Sequence, residues 1–194
     1  MTGSFDILIV GIGGQGTILA SNILGEACLI EGRHVKGAET HGMAQRGGSV
    51  ESHIRIGGKF GPLIVPGQAD LLISFDLLEA LRYSHYLKDT GKLVVNRHLV
   101  LPTSVFTQKI VVPTEDGIIA KLKKFDLCLL DADAIAAKAG SVLAQNVVML
   151  GAAAAAMPLK PESLVEAVRK LVPPKTIEVN TKAFELGRDL GGKC

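Results

Sequence analysis

An apolar run that ends in a glycine cluster constrains this chain more than anything else in it. Phe5-Asp6-Ile7-Leu8-Ile9-Val10 leads into Gly11-Ile12-Gly13-Gly14-Gln15-Gly16, and Thr17 then opens a stretch in which Ile18, Leu19, Ile23, Leu24 and Ala27 recur at helical spacing. Ile7 to Val10 shows no polar alternation, so it reads as a parallel strand buried on both faces. The segment is strand, tight turn, helix. Such a turn leaves the first backbone N–H groups of the helix unpaired beside bare glycine backbone, which suits a phosphate or another anion. Gly11, Gly13 and Gly16 match G-x-G-x-x-G, the dinucleotide-binding fingerprint, in the right context of strand before and helix after. The same glycines would equally serve if they only let the helix pack closely on the strand. Gly14 and Gln15 make the loop wider and more polar than nucleotide binding requires. The candidate anion-binding residues of the turn are therefore Gly11, Gly13, Gly14, Gln15, Gly16 and Thr17.

A second stretch, Glu39-Thr40-His41-Gly42-Met43-Ala44-Gln45-Arg46-Gly47-Gly48-Ser49, is polar and punctuated by glycine beyond what a connection between core elements needs. It reads as a site loop, with His41, Gln45, Arg46, Gly47 and Gly48 as candidates. Arg46 beside Gly47-Gly48 is either a bidentate partner for a phosphate or carboxylate or a solvated loop charge. Glu39 lies where a nicotinamide enzyme places the carboxylate that grips a ribose hydroxyl. That position motivates an alternative reading, a free-standing nicotinamide-dependent oxidoreductase.

The remaining elements follow in order. His34–Ala38 is a poor second strand, and Val50–Ile56 alternates apolar with polar as a half-exposed strand. Gly57-Gly58 then marks a hairpin turn toward Pro62–Val65. Ala69–Phe75 and Gly91–Asn96 are further strands, separated by a helix from Asp76 to about Leu87. A short strand at 110–113, a helix capped near Thr114, a strand over Phe125–Leu130 and a helix opened by Asp131-Ala132-Asp133 come next. Small residues line a helix from Asn146 to Ala156, and amphipathic helices follow after Pro161 and from Ile177 to Leu186, with Gly191–Cys194 as a frayed tail. This alternation predicts an α/β, Rossmann-like three-layer fold with a mostly parallel sheet and an inserted β-hairpin, as a single domain over 1–194.

Composition removes several function classes. Lys and Arg total 21 against 19 Asp and Glu, so a net charge of +2 gives no electrostatic case for nucleic acid or for a membrane surface. Tryptophan is absent and aromatics are 4%, which removes the stacking platforms of single-strand binders. No stretch reads as a signal peptide or a membrane span. Cys28, Cys128 and Cys194 are dispersed, offer no set of metal or cluster ligands, and fit a reducing, cytoplasmic compartment with Cys28 and Cys128 inert. The motifs G-x-S-x-G, Walker A and H-E-x-x-H do not occur, and the five histidines show no metal-ligand spacing. Asp131 and Asp133 read as helix-capping residues in preference to metal ligands. No catalytic residue and no metal site is assigned, so the chain is expected to work with something else.

With these two stretches, the sequence resembles the 2-oxoacid:ferredoxin oxidoreductases in their gamma subunit or domain, and within that family the indolepyruvate-type beta subunit. The carrying residues are Val10–Gly16 and Glu39–Val50, with weaker agreement at Gly67–Leu72, Gly91–Asn96, Asn146–Ala152 and Asn180–Gly187. The resemblance implies a hetero-oligomeric enzyme that oxidatively decarboxylates an aryl 2-oxoacid such as indolepyruvate to the acyl-CoA and reduces ferredoxin. It also implies that thiamine diphosphate and 4Fe-4S clusters belong to a larger alpha subunit, so this chain alone holds no cofactor. An anionic part of CoA or of the partner's cofactor is expected at the turn from Gly11 to Thr17, with Arg46 and the Gly47-Gly48 amides as second contributors. A third reading is a non-catalytic assembly subunit whose glycine turn serves packing alone.

Overall fold

The computed structural model describes residues 3–41, 48–101, 105 and 111–194. Its sheet has six strands in the order β2-β3-β1-β4-β5-β6, formed by β1 (Phe5–Ile12), β2 (Val35–His41), β3 (Ser49–Ile56), β4 (Ala69–Ser74), β5 (Leu87–Asn96) and β6 (Asp126–Leu130). β1, β4, β5 and β6 are parallel, whereas β3 is antiparallel to both β1 and β2. The helices are α1 (Thr17–Ile30), α2 (Leu77–Tyr83), α3 (Glu115–Leu122), α4 (Ala132–Ala139), α5 (Gln145–Ala153), α6 (Pro161–Leu171) and α7 (Ile177–Gly191). Ile7 and Ile9 on one face of β1 and Leu8 and Val10 on the other are all fully buried. α1 and α4 to α7 cover the first face, and α2 and α3 cover the second. The three-layer arrangement expected from the alternation of elements is the one observed.

The inserted hairpin is β2–β3, not a hairpin across Gly57-Gly58. Pro62–Val65 form no strand; they cross over β3, where the Ile64 amide donates to His53 Nδ1 at 3.1 Å. The polar face of β3 is also not exposed. Ser49, Glu51, His53 and Arg55 lie opposite Ile12, Val10, Leu8 and Asp6, and His53 and Arg55 are buried. Alternation alone suggests a solvated face, but the buried His53 and Arg55 on it have partners inside the protein. Arg55 grips Asp6 bidentately, Nε to Oδ1 and Nη2 to Oδ2 at 2.8 Å each, and donates Nη1 to the Gly61 carbonyl at 2.6 Å. One side chain thus fastens β3 to β1 and holds the covering segment down.

Other expectations shift at their boundaries. The helix from Asp76 ends at Tyr83 in a short 3-10 turn, and β5 begins at Leu87. Residues 111–113 form no strand, while residue 110 lies outside the described residues. The C-terminus is not a frayed tail. α7 runs to Gly191, and Cys194 forms a disulfide with Cys128 on β6 across 66 residues of sequence, so Cys128 is not an inert free thiol. Cys28 stays free, and burial pushes its thiol up to about 11. α7 can reach β6 because it lies backbone to backbone on α5. A Cβ at Gly187 would strike the Val148 carbonyl, and one at Gly151 the Phe184 carbonyl.

Removing Arg55 strands the Asp6 carboxylate in the interior, an uncompensated buried charge. Arg55→Ala should lose about 3–5 kcal/mol of unfolding free energy in a urea titration, and a loss below about 1 kcal/mol would show that the pair is not the tie between β1 and β3.

Candidate functional site

The crossovers from β1 and β4 leave the sheet on opposite faces, α1 on one and α2 on the other. The carboxyl ends of these adjacent strands therefore flank the crevice where open α/β sheets bind ligands. The glycine turn sits at this crevice. Gly14 and Gly16 have φ of 107° and 83°, values that favour glycine. A Cβ at Gly16 would come 2.6 Å from Asn146 Nδ2, and one at Gly11 would come 2.8 Å from Gln15 Oε1. Gln15 turns inward: its Oε1 accepts from the Ile12 amide at 2.8 Å, and its Nε2 donates to the Phe75 carbonyl at 3.3 Å. It latches β1 to the end of β4. Thr17 is buried beneath the turn.

The amides at the start of α1 remain. Gly16 caps the helix without a side-chain bond, and no carboxylate lies in the first turn, so no anion of the described chain competes for the positive end of the helix dipole. Asn146 Nδ2 donates to the Gly16 carbonyl at 3.3 Å and holds that peptide in place. This residue was missed at the sequence level; its signal was a buried amide opening an otherwise apolar helix.

Of the second stretch, Gln45, Arg46 and Gly47 lie outside the described residues. Its two stems do not. His41 ends β2 opposite Val50, and the Gly13 amide donates to the Gly48 carbonyl at 2.8 Å, so the segment between them starts and ends beside the glycine turn. Ser49 then donates to Glu79 of α2 and lies 3.2 Å from the Tyr83 hydroxyl. Glu79 is 3% exposed, and burial raises its carboxyl above the ordinary range despite the Ser49 bond and nearby Arg82.

Further along the strand ends, polar groups are engaged in caps. Asp76 accepts from the Leu78, Glu79 and Val100 amides. Asn96 Oδ1 accepts from the Ala132 amide, and Asn96 Nδ2 donates to Asp133 and Gln145. Asp131 caps α4 through the Ala134 amide, as expected, whereas Asp133 pairs with His98 Nδ1 at 2.9 Å. Glu39 does not take the nicotinamide position. β3 lies between β2 and β1, and the Glu39 carboxylate accepts from Ser21 Oγ at 2.7 Å. No group of three or more potential metal-ligating side chains occurs among the described residues, and no described helix is long and apolar enough to cross a membrane.

A sheet of this order, with a helix start at its switch point that carries no side-chain cap, defines a Rossmann-like α/β fold. The family model described as pyruvate ferredoxin/flavodoxin oxidoreductase matches residues 6–190, and the chain belongs to that family. It is 42% identical over 186 residues to indolepyruvate oxidoreductase subunit IorB of Archaeoglobus fulgidus, covering 94% of this chain and 92% of that one. To the protein of the same name from Thermococcus kodakarensis it is 40% identical over 190 residues, covering 94% of each. The crystal structure of the gamma subunit of a keto/oxoacid ferredoxin oxidoreductase from Geobacter sulfurreducens matches with a TM-score of 0.74 at 26% identity, covering 98% of this chain and 99% of that one. The family resemblance carried by the two glycine-rich stretches is thereby shown, and the nicotinamide alternative is not favoured.

The raised Glu79 carboxyl has a definite sign. A folded-state pKa above the unfolded one contributes stability in full below the unfolded value and loses it as pH rises through the folded value. Glu79→Gln should therefore flatten the decline in melting temperature between pH 4.5 and neutral, and an unchanged slope would remove Glu79 as its source. Gly16→Ala meets both a left-handed backbone and Asn146, and should cost about 1–3 kcal/mol by denaturant unfolding.

Proposed function

We propose that the chain is the cofactor-free beta subunit of an indolepyruvate-type 2-oxoacid:ferredoxin oxidoreductase acting in the cytoplasm. It works with a larger alpha subunit that carries thiamine diphosphate and 4Fe-4S clusters, and the complex converts an aryl 2-oxoacid and CoA to the acyl-CoA while reducing ferredoxin. The observation that carries the site assignment is the uncapped start of α1 at the crevice between β1 and β4. Relatives of matching length named as indolepyruvate oxidoreductase subunits support the activity. The cysteines support the division of labour, because Cys28 is buried and alone while Cys128 and Cys194 bond each other, which leaves no set of cluster ligands in this chain.

In this reading the Thr17, Ile18 and Leu19 amides meet an anionic group of CoA or of the partner's cofactor, on a turn held rigid by Gln15 and Asn146. Arg46 and the Gly47-Gly48 amides, with His41 and Gln45 near them, close over the same group. Thiamine diphosphate supplies the carbanion chemistry on the partner. This chain binds, orients and excludes water.

The test is a complex reconstituted with the larger subunit and assayed with indolepyruvate, phenylpyruvate and 2-oxoglutarate. Arg46→Ala should raise KM for CoA about 10-fold or more with kcat nearly unchanged, as expected for loss of one charge-assisted bond of about 1.5–3 kcal/mol. Gly13→Val should disrupt the turn and lower kcat/KM further. Unchanged KM for CoA in both variants, with assembly intact, would favour a subunit whose turn serves packing alone.

A further inference from the structure

α1 packs over β1, β3 and β2, and its Ser21 hydroxyl bonds the Glu39 carboxylate of β2, but the packing between them is incomplete. The result is a groove of about 610 Å³ between α1, the β2–β3 face and the end of α6, a size at which proteins seat ligands and side chains. Missing side chains make it. Gly25 faces it from α1 and Gly37 from β2; a Cβ at Gly25 would meet nothing within 4 Å, and one at Gly37 only the His53 carbonyl at 3.8 Å. Its rim is apolar, with Leu29 and Leu171 65% and 39% exposed.

Its floor is polar. Ser52, fully buried, points toward α1 from the β3 face that Glu39 and Gly37 share across the β2 ladder, and its hydroxyl has no hydrogen-bond partner among the described residues. A buried hydroxyl left unpaired costs about 1–3 kcal/mol, so the site is unfinished in the isolated chain. Beside it, the Glu39 carboxylate has one oxygen bonded to Ser21 and the other free of partners among the described residues. Glu26, also on the groove, is already paired with Lys170 at 3.1 Å. Glu39, exposed to solvent, is therefore the acidic side chain of the groove with no cation beside it among the described residues.

β2 is also the terminal strand of the sheet, so its outer backbone groups have no ladder among the described residues. Phe60, Leu63 and Val65 stand exposed on the segment that crosses the opposite face, and Lys36 Nζ ties β2 to that segment through the Phe60 carbonyl at 2.8 Å. A bare strand edge flanked by exposed apolar side chains on both faces is a template for strand addition.

The geometry points to one occupant: an extended segment of the larger partner subunit that adds as a strand to β2 and sends a lysine or arginine across Gly37 to Glu39 and Ser52. A second copy of this chain fits worse. Antiparallel self-pairing about Ala38 would set Glu39 of the copy beside Gly37, bringing a second carboxylate into a groove that lacks a cation. The inference rests on the reading of this chain as a subunit, and it names the surface that the reading leaves open.

The test compares hydrogen exchange and affinity in the chain alone and in complex with the larger subunit. Residues 35–41 should gain protection on assembly. Gly25→Leu fills the groove from a helix position where a side chain meets nothing, so it should keep or raise the melting temperature of the chain while weakening association at least 10-fold. Glu39→Lys should weaken it similarly, and Glu39→Gln less. Ser52→Ala should stabilise the free chain yet weaken the complex. Wild-type affinity in Gly25→Leu, or a complex in which 35–41 exchanges as in the free chain, overturns the proposal. So does protection of 35–41 by dimerisation of this chain alone. Failure of the wild-type chain to associate with the larger subunit would overturn the subunit reading and this inference together.

Discussion

One amide side chain carries the junction on which the rest of this molecule depends. β1 and β4 are neighbours whose following helices depart to opposite faces, and beyond their last paired residues a backbone bond from the Phe75 amide to the Val10 carbonyl at 2.9 Å leaves the junction partly open. Gln15 closes it. It accepts from β1 at Ile12 and donates to the backbone after β4 at Phe75. The glycines are consequences of that latch: Gly11 leaves room for the Gln15 oxygen, and Gly16 leaves room for Asn146. A turn braced from inside by two amides has no side chain left to cap the helix it starts. The helix dipole therefore ends, among the described residues, in amides without a side-chain cap at a place where the sheet offers a crevice.

The fold was legible where hydrophobic pattern and turn chemistry agree. Ile7 to Val10 reads as doubly buried because every residue is apolar, and strand, glycine turn and helix follow at the expected positions. Legibility failed where polarity is satisfied inside the protein. Val50–Ile56 alternates like a strand with one wet face, yet Arg55 and His53 are buried under residues 57–68, because Asp6, the Gly61 carbonyl and the Ile64 amide supply their partners. Nothing local announces those partners, which lie 6 to 49 residues away in sequence. The same limit hid the Cys128–Cys194 bond, which needs α7 laid on α5 before its ends can meet.

The candidate site divides in a similar way. Glycine positions are visible in sequence because backbone conformation is a local property. The bracing bonds of Gln15 are not: nothing in a polar residue of a glycine loop announces that its amide will span Ile12 and Phe75. Glu39 shows the converse error. Counting about twenty residues from the glycines assumes that the second strand lies beside the first, and here an antiparallel strand intervenes.

The glycine turn and the open edge are mechanically close. β2, which bears the groove, ends at His41 opposite Val50, and β3 begins at Ser49 opposite Ile12. Between them runs the segment that carries Arg46, and its last described link is the Gly48 carbonyl held by the Gly13 amide. A strand added to β2 would therefore lie one strand away from the stem at Gly48 that is hydrogen-bonded to the glycine turn. Glu79 and Tyr83 hold that second stem to α2 through Ser49.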